Sequence, residues 1–218
     1  MRRVLVTGHS RGIGKSIYEE FLSNEDADVI GLSSKECDLR NPSEIKEFFS
    51  SVGPVDVLVN NAGIVSKKDI LSISIEEWND IINVNLRSMM VLCQCALPHM
   101  ISQRYGKIVN IGSIAGLDKS RTASFAYTVS KYGVVGLTKQ LAYEYAKHNI
   151  NINCVCPSQT STEMLLDNLP DETLDELKRV NPSRRLASPE DVSSVVHFLT
   201  GENAGYISGE CIKVAGGL

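Results

Sequence analysis

Tyr127 and Lys131 are the two side chains in this sequence best suited to moving a proton together. They lie in a stretch, 124–148, whose pattern predicts a helix, and residues four apart on a helix share one face. A free tyrosine has a pKa of about 10, too high for efficient proton exchange at neutral pH. We expect the nearby ammonium of Lys131 to lower the pKa of Tyr127. The pair is therefore predicted to act as a general acid and base.

A glycine loop near the N-terminus is suited to holding phosphate. Thr7, Gly8, Gly12 and Gly14 fit the pattern Thr-Gly-x-x-x-Gly-x-Gly, between a predicted strand and a predicted helix. Glycines permit the tight turn, and the free N–H groups at the helix start attract an anion. The spacing is a variant of the dinucleotide-binding fingerprint.

The same loop also ends like a P-loop for triphosphates, in Gly14-Lys15-Ser16. A P-loop needs an earlier glycine at the position that His9 occupies here. The spacing therefore favours a dinucleotide over a triphosphate.

Apolar runs alternate with helix-length amphipathic segments, which indicates parallel strands covered by helices on both faces. Strands are predicted at 3–7, 28–33, 55–60, 107–113, 151–156 and 210–214. Helices are predicted from the glycine loop to about 23, from about 41, and over 74–102 (with Pro98 as a kink or an end), 124–148, 171–180 and 189–199. The predicted fold class is α/β, a single Rossmann-type doubly wound parallel sheet formed by one domain, 1–218. The polar, proline-interrupted stretch of about 158–188 is the candidate substrate lid.

Composition and charge exclude several classes of protein. Of 218 residues, 43% are hydrophobic and 22% charged, which is typical of a globular chain with a core. The net charge of −4 provides no basic field for nucleic acid. No apolar run approaches the roughly 18 residues of a membrane span, and the N-terminus lacks a signal-peptide pattern. We expect a cytoplasmic protein that binds neither nucleic acid nor membrane.

The six cysteines include no Cys-x-x-Cys motif. Cys154 and Cys156 would share one face of a predicted strand, so a metal-binding pair is conceivable. The favoured interpretation is that these small thiols fill a buried strand. No metal site is predicted.

Further motifs accompany the glycine loop and the Tyr127–Lys131 pair in a fixed order. They are Asn60-Asn61-Ala62-Gly63 after a predicted strand, Asn85 in a helix, Ser113 at a strand end, Pro157 with Thr162, and Gly216-Gly217. Ser113 precedes Tyr127 by 14 residues. In this order and at these distances the motifs resemble the short-chain dehydrogenase/reductase family, over nearly the whole chain.

The resemblance implies a catalytic set of Asn85, Ser113, Tyr127 and Lys131. Ser113 would hydrogen-bond the substrate oxygen, and Lys131 would also hold the nicotinamide ribose hydroxyls. The positive charge of the oxidised nicotinamide would help Lys131 to lower the pKa of Tyr127. Asn85 would position a water that relays protons towards Lys131.

The resemblance also implies a dinucleotide cofactor, bound by the glycine loop, the segment after the second strand, the Asn-Asn-Ala-Gly motif, the active-site helix and the loop at Pro157. The implied cofactor-binding residues are Gly8, Ser10, Arg11, Gly12, Ile13, Gly14, Ser34, Asp38, Leu39, Asn60, Ala62, Gly63, Tyr127, Lys131, Pro157, Thr160 and Thr162.

The predicted cofactor is NADPH/NADP, with NADH/NAD as the alternative. A carboxylate at the end of the second strand would bind the ribose 2′-OH, but no acid occurs there before Glu36. Arg11 can contact a 2′-phosphate through its planar fork, and Ser34 and Lys35 can assist. In the competing interpretation Arg11 is only solvated, and Glu36 turns inward because the connection is short.

Two departures from the family pattern are visible. Ser158 follows Pro157 where members usually have glycine, which bears on the shape of the nicotinamide loop. Only residues 34–37 separate Ser33 from Asp38, too few for the crossover helix that members carry there. We predict that this helix is missing or vestigial and that the third strand is short or degraded.

Within the family the chain is most similar to 3-oxoacyl-[acyl-carrier-protein] reductases. This implies an NADPH-dependent carbonyl reductase that transfers hydride to a 3-oxoacyl thioester or similar ketone, with Tyr127 as general acid. An alternative on the same fold is an alcohol or sugar dehydrogenase of specialised metabolism. A different class, a non-catalytic dinucleotide-binding or sensing protein, is disfavoured because the Ser–Tyr–Lys–Asn set is intact.

The expected partner is a small-molecule or acyl-thioester carbonyl substrate, with an acyl carrier protein as a further candidate. Arg104 falls where the similar reductases place a basic docking residue, but His148 occupies the other such position. Arg104 is equally well interpreted as a solvated helix-end charge. By analogy we expect a homo-oligomer, a tetramer or dimer, that pairs the helices ending near 102 and 148.

Overall fold

Six parallel strands form one sheet. The computed structural model describes residues 1–23, 27–120, 122–167 and 169–218, and the strands lie in the order β2-β1-β3-β4-β5-β6. The strands are β1 (Arg2–Thr7), β2 (Ala27–Leu32), β3 (Val57–Asn60), β4 (Gly106–Ile111), β5 (Ile150–Pro157) and β6 (Cys211–Val214). β2 lies on one side of β1, and β3 to β6 follow on the other side, so the direction in which strands are added to the sheet reverses at β1. Open α/β sheets bind ligands beyond the carboxyl ends of their strands at such a switch point.

Helices cover both faces of the sheet. In the described residues they are α1 (Gly12–Leu22), α2 (Pro42–Val52), α3 (Ile75–Ile82), α4 (Ser88–Gln103), α5 (Phe125–Tyr145), α6 (Glu163–Leu166), α7 (Asp171–Val180) and α8 (Pro189–Thr200). Side chains of a strand alternate between faces, so Leu5 packs towards α2, α4 and α5, while Val4 and Val6 pack towards α1 and α8. This confirms the predicted doubly wound α/β class.

The connection from β2 to α2 departs furthest from the predicted elements. Within the described range 27–120, residues 33–41 form turns, with neither a helix nor a strand. The missing helix was predicted, and the third strand, which was expected to be short or degraded, is absent from these residues. A parallel strand needs a crossover of roughly a dozen residues, which this segment does not supply. β2 therefore forms an edge of the sheet.

The predicted helix over 74–102 is divided by one π-helical turn, Asn83–Arg87, between α3 and α4. Pro98 lies inside α4 and does not end it. The run Ile75–Gln103 is long and apolar enough to pass as a membrane span by length and composition. Leu92, Ala96 and Met100, however, are buried in the core against the sheet. The run is therefore a core helix of this fold.

A buried chain of hydrogen bonds ties the carboxyl ends of β3 and β4 to α5. Asn60 Nδ2 donates to Asn110 Oδ1 (2.8 Å), and Asn110 Nδ2 donates to Thr138 Oγ1 (2.9 Å). Thr138 donates in turn to the Val134 carbonyl oxygen (2.8 Å). All three polar side chains are fully buried. Because α5 carries Tyr127 and Lys131, this chain of bonds holds the predicted site against the sheet.

We predict that Thr138→Val destabilises the protein. The change keeps the side-chain volume but leaves a buried amide proton of Asn110 without an acceptor, which costs about 1–3 kcal/mol. Urea unfolding should show that loss of unfolding free energy with an unchanged slope. Thr128→Val is the control, since the half-buried Thr128 hydroxyl makes no hydrogen bond within the described structure. Equal losses in both variants would contradict the account.

Candidate active site

The carboxyl ends of four strands bring the predicted site residues to one edge of the sheet. Gly8 follows β1, Ala62 follows β3, Ser113 follows β4 and Pro157 ends β5. Parallel neighbours place their carboxyl ends together, so residues far apart in sequence meet here. The resulting site is at the switch point of the strand order.

The glycine loop forms a cradle at the N-terminus of α1. Gly8 and Gly12 have φ of +69° and +54°, in the left-handed region that favours glycine. A Cβ on Gly14 would lie 2.1 Å from the Gly8 carbonyl oxygen. Arg11 is the N-cap residue, and no side chain among the described residues caps this helix. The first-turn N–H groups, which include those of Ile13 and Gly14, are therefore available to an anion.

The loop after β3 braces the cradle through Asn61, which the sequence analysis did not single out. Asn61 Nδ2 donates to the carbonyl oxygens of Thr7 (2.9 Å) and Gly8 (3.3 Å). The Thr7 hydroxyl accepts from the backbone N–H groups of Asn61 and Ala62, each at 3.0 Å. Asn61 could have been found from the sequence, because it stands in the Asn-Asn-Ala-Gly motif with three residues that were predicted to bind the cofactor.

Helix α5 presents Tyr127 and Lys131 beside Ser113. The Ser124 hydroxyl caps this helix by accepting from the Tyr127 N–H. Lys131 is only 3% exposed, and its Nζ donates to the Ile111 carbonyl oxygen (2.8 Å). The same Nζ lies 5.5 Å from the centroid of the Tyr127 ring. An ammonium has three donors, so Lys131 retains donors for ligand hydroxyls.

Burial shifts the pKa of each member of this pair away from its charged form. It raises the pKa of Tyr127 to about 12, which a hydrogen bond from Ser113 partly offsets. It lowers the pKa of Lys131 to about 8. Burial is therefore the dominant effect on Tyr127, and the lowering of its pKa by Lys131 together with a bound oxidised nicotinamide stays a prediction. Desolvation outweighs the hydrogen bond with Ser113, and the Lys131 ammonium is directed to the Ile111 carbonyl. Tyr127 keeps its proton at neutral pH.

Asn85 reaches the site from the π-helical turn, a feature often found at functional sites. Its Oδ1 accepts from the Ile64 N–H (2.8 Å), and its Nδ2 donates to the Ile64 carbonyl (2.9 Å) and to Ser130 Oγ (3.1 Å). Ser130 Oγ donates to the Tyr127 carbonyl oxygen (2.7 Å). A Cβ on Gly63 would lie 3.4 Å from Asn85 Oδ1 and 3.8 Å from Lys131 Nζ, so all three residues adjoin. Ser130, which links Asn85 to α5, was missed.

The carboxylate of Glu36 lies next to the carboxyl end of β2. The N–H and the hydroxyl of Ser33 both donate to one oxygen of Glu36, at 2.7 and 2.6 Å. These hydrogen bonds lower the pKa of Glu36. Glu36 thus folds back onto the end of β2 and stays exposed to solvent. Ser10, Arg11, Ser34 and Lys35 are exposed.

The remaining cofactor candidates on this side make contacts within the protein. Asp38 pairs with Arg40 (2.8 Å) and its N–H donates to Glu44 (2.8 Å), while Leu39 packs against the core. The Asn60 side chain is fully buried and hydrogen-bonded to Asn110, so only the backbone of Asn60 is placed to contact a cofactor. Cofactor contacts of these residues stay predictions.

The loop after β5 approaches the cradle. The Ser158 N–H donates to the Val214 carbonyl oxygen (3.0 Å), and Ser158 adopts no left-handed conformation. The replacement of glycine by serine therefore needs no backbone strain. The Thr160 hydroxyl donates to the Ser158 carbonyl oxygen (3.1 Å). A Cβ on Gly12 would lie 3.0 Å from the Thr162 methyl carbon, so Thr162 contacts the glycine loop.

Comparison with known proteins assigns the family. The family model described as Enoyl-(Acyl carrier protein) reductase matches residues 3–218. The 3-oxoacyl-[acyl-carrier-protein] reductase FabG of Aquifex aeolicus (strain VF5) is 36% identical over 239 residues, covering 98% of this chain and 96% of the relative. The chain belongs to the short-chain dehydrogenase/reductase family.

Solved structures agree with that assignment. The ligand-free aldohexose dehydrogenase of Thermoplasma acidophilum is 36% identical, with a TM-score of 0.89 over 100% of this chain and 93% of that one. A 4-hydroxyisoleucine dehydrogenase complexed with NADH is 26% identical, with a TM-score of 0.93 over 100% of this chain and 98% of that one. The protein is an NAD(P)-dependent oxidoreductase acting on a carbonyl or hydroxyl group, and its cofactor is a nicotinamide dinucleotide.

The buried Lys131 predicts a pH dependence of stability. Between its folded pKa of about 8 and its ordinary value of 10.5, the folded protein binds fewer protons at Lys131 than the unfolded chain does. The Lys131 contribution to stability therefore rises with pH, by on the order of 2 kcal/mol between about pH 7.5 and 9.5. Lys131→Met should remove this rise.

The measurement is urea unfolding of wild type and Lys131→Met at both pH values. Cysteines and tyrosines titrate in both proteins, so the difference between their pH slopes isolates Lys131. Identical slopes would show that the lysine is not held in a desolvated site.

Proposed function

We propose that this protein reduces the carbonyl of a 3-oxoacyl thioester or a similar ketone with NADPH, using Tyr127 as the general acid. The observation that carries the proposal is the position of the Tyr127 ring beside Ser113 and 5.5 Å from the ammonium of the buried Lys131. A general acid for carbonyl reduction must hold its proton at working pH and release it during the reaction, and the adjacent Lys131 ammonium would stabilise the phenolate that is left. The similarity to a 3-oxoacyl reductase supports the substrate class.

The cradle and Lys131 suit the dinucleotide. A Cβ on Gly14 would collide with the Gly8 backbone, so glycine allows the start of α1 to pack closely against the end of β1, as in dinucleotide-binding folds. Lys131 has donors to spare for ribose hydroxyls after its bond to the Ile111 carbonyl. When bound, the reduced nicotinamide supplies a hydride to the substrate carbon.

Ser113, Tyr127 and Lys131 then stabilise and neutralise the negative charge that develops on the substrate oxygen. Ser113 donates a hydrogen bond to the carbonyl oxygen and orients it. Tyr127 transfers its phenolic proton to that oxygen, which neutralises the alkoxide. The Lys131 ammonium stabilises the phenolate and returns a proton to it. Asn85 fixes the Ile64 backbone beside Lys131, where a water enters to restore the lysine proton.

A sugar or alcohol dehydrogenase is the second candidate, favoured by the 36% identity to an aldohexose dehydrogenase. Oxidation of a hydroxyl requires Tyr127 as the phenolate, a form that the positive charge of a bound oxidised nicotinamide would favour. A non-catalytic dinucleotide sensor would have no need of the intact proton-transfer set. Absorbance assays with acetoacetyl thioesters, simple ketones, keto-sugars and aldohexoses separate these candidates.

For the cofactor we keep NADPH, held at its 2′-phosphate by Arg11 with Ser34 and Lys35. The exposed Arg11 guanidinium at the start of α1 is free to fold over a phosphate, and Lys35 adds a positive charge. Glu36 opposes this, since its carboxylate occupies the Ser33 donors and would repel a phosphate. NADH is therefore the alternative, and the balance of Arg11 against Glu36 decides between them.

A carrier protein would have to dock away from this chain's own catalytic edge. Arg104 and His148 precede the amino ends of β4 and β5, at the edge of the sheet opposite Tyr127. Arg104 Nη2 donates to the Lys147 carbonyl oxygen (3.3 Å), which brings the two positions together. Docking there serves catalysis only if a neighbouring protomer presents its active site.

We therefore include a homo-oligomer, dimer or tetramer, in the proposal. An apolar groove between α4 and α5 supports it, with Met90, Leu97, Ile101 and Leu141 among its lining residues.

We also propose a cytoplasmic location and a substrate lid at 158–188. Two short helices, α6 and α7, occupy that segment, and Thr162 within it contacts the cradle.

Tyr127→Phe is expected to lower kcat by about 100-fold or more, because the ring stays packed while the proton donor is lost. The dissociation constant of the cofactor should change little. Tyr132→Phe is the matched control on the same helix, where Tyr132 is half exposed. Steady-state kinetics with fluorescence titration of the cofactor measure both quantities. Near-normal turnover of Tyr127→Phe would remove Tyr127 as the acid.

The cofactor proposal predicts opposite effects of two substitutions on the ratio of kcat/KM for NADPH to that for NADH. Arg11→Ala should lower the ratio by about 10- to 100-fold, since a charge-assisted hydrogen bond is worth about 1.5–3 kcal/mol. Glu36→Gln should raise it by removing repulsion. Lys15→Ala, on the exposed face of α1, serves as control. A ratio that Arg11→Ala leaves unchanged contradicts the role of Arg11.

A further inference from the structure

Three cysteines meet on the sheet face that packs against α4 and α5. Cys154 and Cys211 are in-register partners on the parallel strands β5 and β6, so their side chains project to the same face. Cys156, two residues along β5, shares that face, and its sulfur lies 3.6 Å from that of Cys154. We call these three residues the thiol cluster. They pack with Met89 and Val134.

The thiol cluster adjoins the active site without belonging to the reaction described above. A Cβ on Gly112 would lie 2.6 Å from the Cys154 sulfur and 3.0 Å from the Cys156 sulfur. Gly112 directly precedes Ser113, so these two sulfurs support the backbone from which Ser113 acts. Both also lie close to Lys131.

Cys211 is the reactive and reachable member. It is half-buried on β6, at the edge of the sheet, whereas Cys154 and Cys156 are fully buried. Hydrogen bonds from the Cys154 and Cys156 thiols lower the pKa of Cys211, and the charge of Lys139 acts in the same direction. The pKa of Cys154 is raised. A stabilised thiolate that solvent can reach, next to a second thiol, is the arrangement of exchange-active cysteines.

We propose that Cys211 is a modification site for small-molecule disulfides, with Cys154 as the cysteine that resolves the adduct. The Cys211 thiolate attacks one sulfur of the reagent R–S–S–R, whose bond breaks and releases R–S⁻, which takes up the proton lost by Cys211. The Cys154 thiol then loses its proton and attacks the Cys211 sulfur, which expels the second R–S⁻ to be protonated in turn. Two protein thiols are oxidised to one disulfide, and the reagent is reduced to two R–SH.

Strand geometry selects the Cys154–Cys211 pair. Neighbouring strands lie about 4.8 Å apart, which places paired Cα atoms within the roughly 4.4–6.8 Å that a disulfide spans. Residues two apart on one strand are separated by about 6.6 Å, at the upper limit, so Cys154 and Cys156 are the poorer pair. Among the described residues, no group of three or more His, Cys, Asp or Glu side chains is arranged to hold a metal ion.

Bond formation should reach the active site. It draws the Cys154 sulfur away from Gly112 and Cys156 towards β6, and removes part of the packing behind Ser113. We expect turnover to fall several-fold and to recover with a dithiol reductant. This consequence rests on the proposed function, whereas formation of the bond does not.

The test treats the intact protein with hydroxyethyl disulfide, followed by a free-thiol count, intact mass and peptide mapping. Wild type should lose two thiols and two hydrogens in mass, and one crosslinked peptide should join β5 to β6. Cys154→Ser should instead stop at a stable mixed disulfide on Cys211, visible as a mass increase. Cys211→Ser should keep its remaining thiols. Cys95→Ser, at a half-buried cysteine on α4, should behave like wild type.

Several outcomes overturn the proposal. They are a wild-type protein that retains all of its thiols, a disulfide that maps to another pair, and a Cys211→Ser variant that still loses two thiols. Mapping of wild type needs no substitution, so the result does not depend on how well a variant folds. Unchanged turnover in protein carrying the Cys154–Cys211 bond would refute the link to Ser113 while leaving the reductase proposal intact.

Discussion

The parallel pairing of β3, β4 and β5 is the constraint on which the rest of this structure depends. It sets Asn60 and Asn110 in register, and it sets Asn110 in register with Cys154. Backbone hydrogen bonds between the strands alone therefore fix the relative positions of Asn60, Asn110 and Cys154, which form a row across the sheet close to the site. The polar members of this row can be buried only because they bond to one another and to Thr138, since an unpaired buried amide is costly. That bond to α5 sets where the active-site helix lies.

Burial of α5 against this row has consequences for both chemistry and stability. It desolvates Tyr127 and Lys131 together, which keeps the phenol protonated and makes the lysine proton easy to lose. Donation of the Tyr127 proton then depends on the adjacent Lys131, which can stabilise the phenolate. The cost is a buried cation whose only hydrogen bond in the described structure is to the Ile111 carbonyl. Stability is thus lower at neutral pH than it would be with an apolar side chain of the same size.

Most of the architecture could be predicted from local patterns. Apolar runs between helix-length amphipathic segments predicted all six strands, the glycine spacing predicted the cradle, and the short β2–α2 connection predicted the loss of a helix. The π-helical turn at Asn83–Arg87 was not predictable, because no residue type marks it. The fold-back of Glu36 depends on hydrogen bonds to Ser33 that only the folded turn creates. The effect of burial on the Tyr127 pKa was missed because the sequence reveals a neighbouring charge but not the depth of burial.

The central claim is that hydride passes to a carbonyl carbon at the site formed by Ser113, Tyr127 and Lys131. The most direct measurement uses NADPH deuterated at C4 of the nicotinamide, on each face in separate samples, with an acetoacetyl thioester as substrate. Mass spectrometry of the product should find deuterium on the 3-hydroxy carbon with one labelled face and none with the other. Cofactor consumption without label in the product, or no reaction with any 3-oxoacyl thioester, would contradict the account.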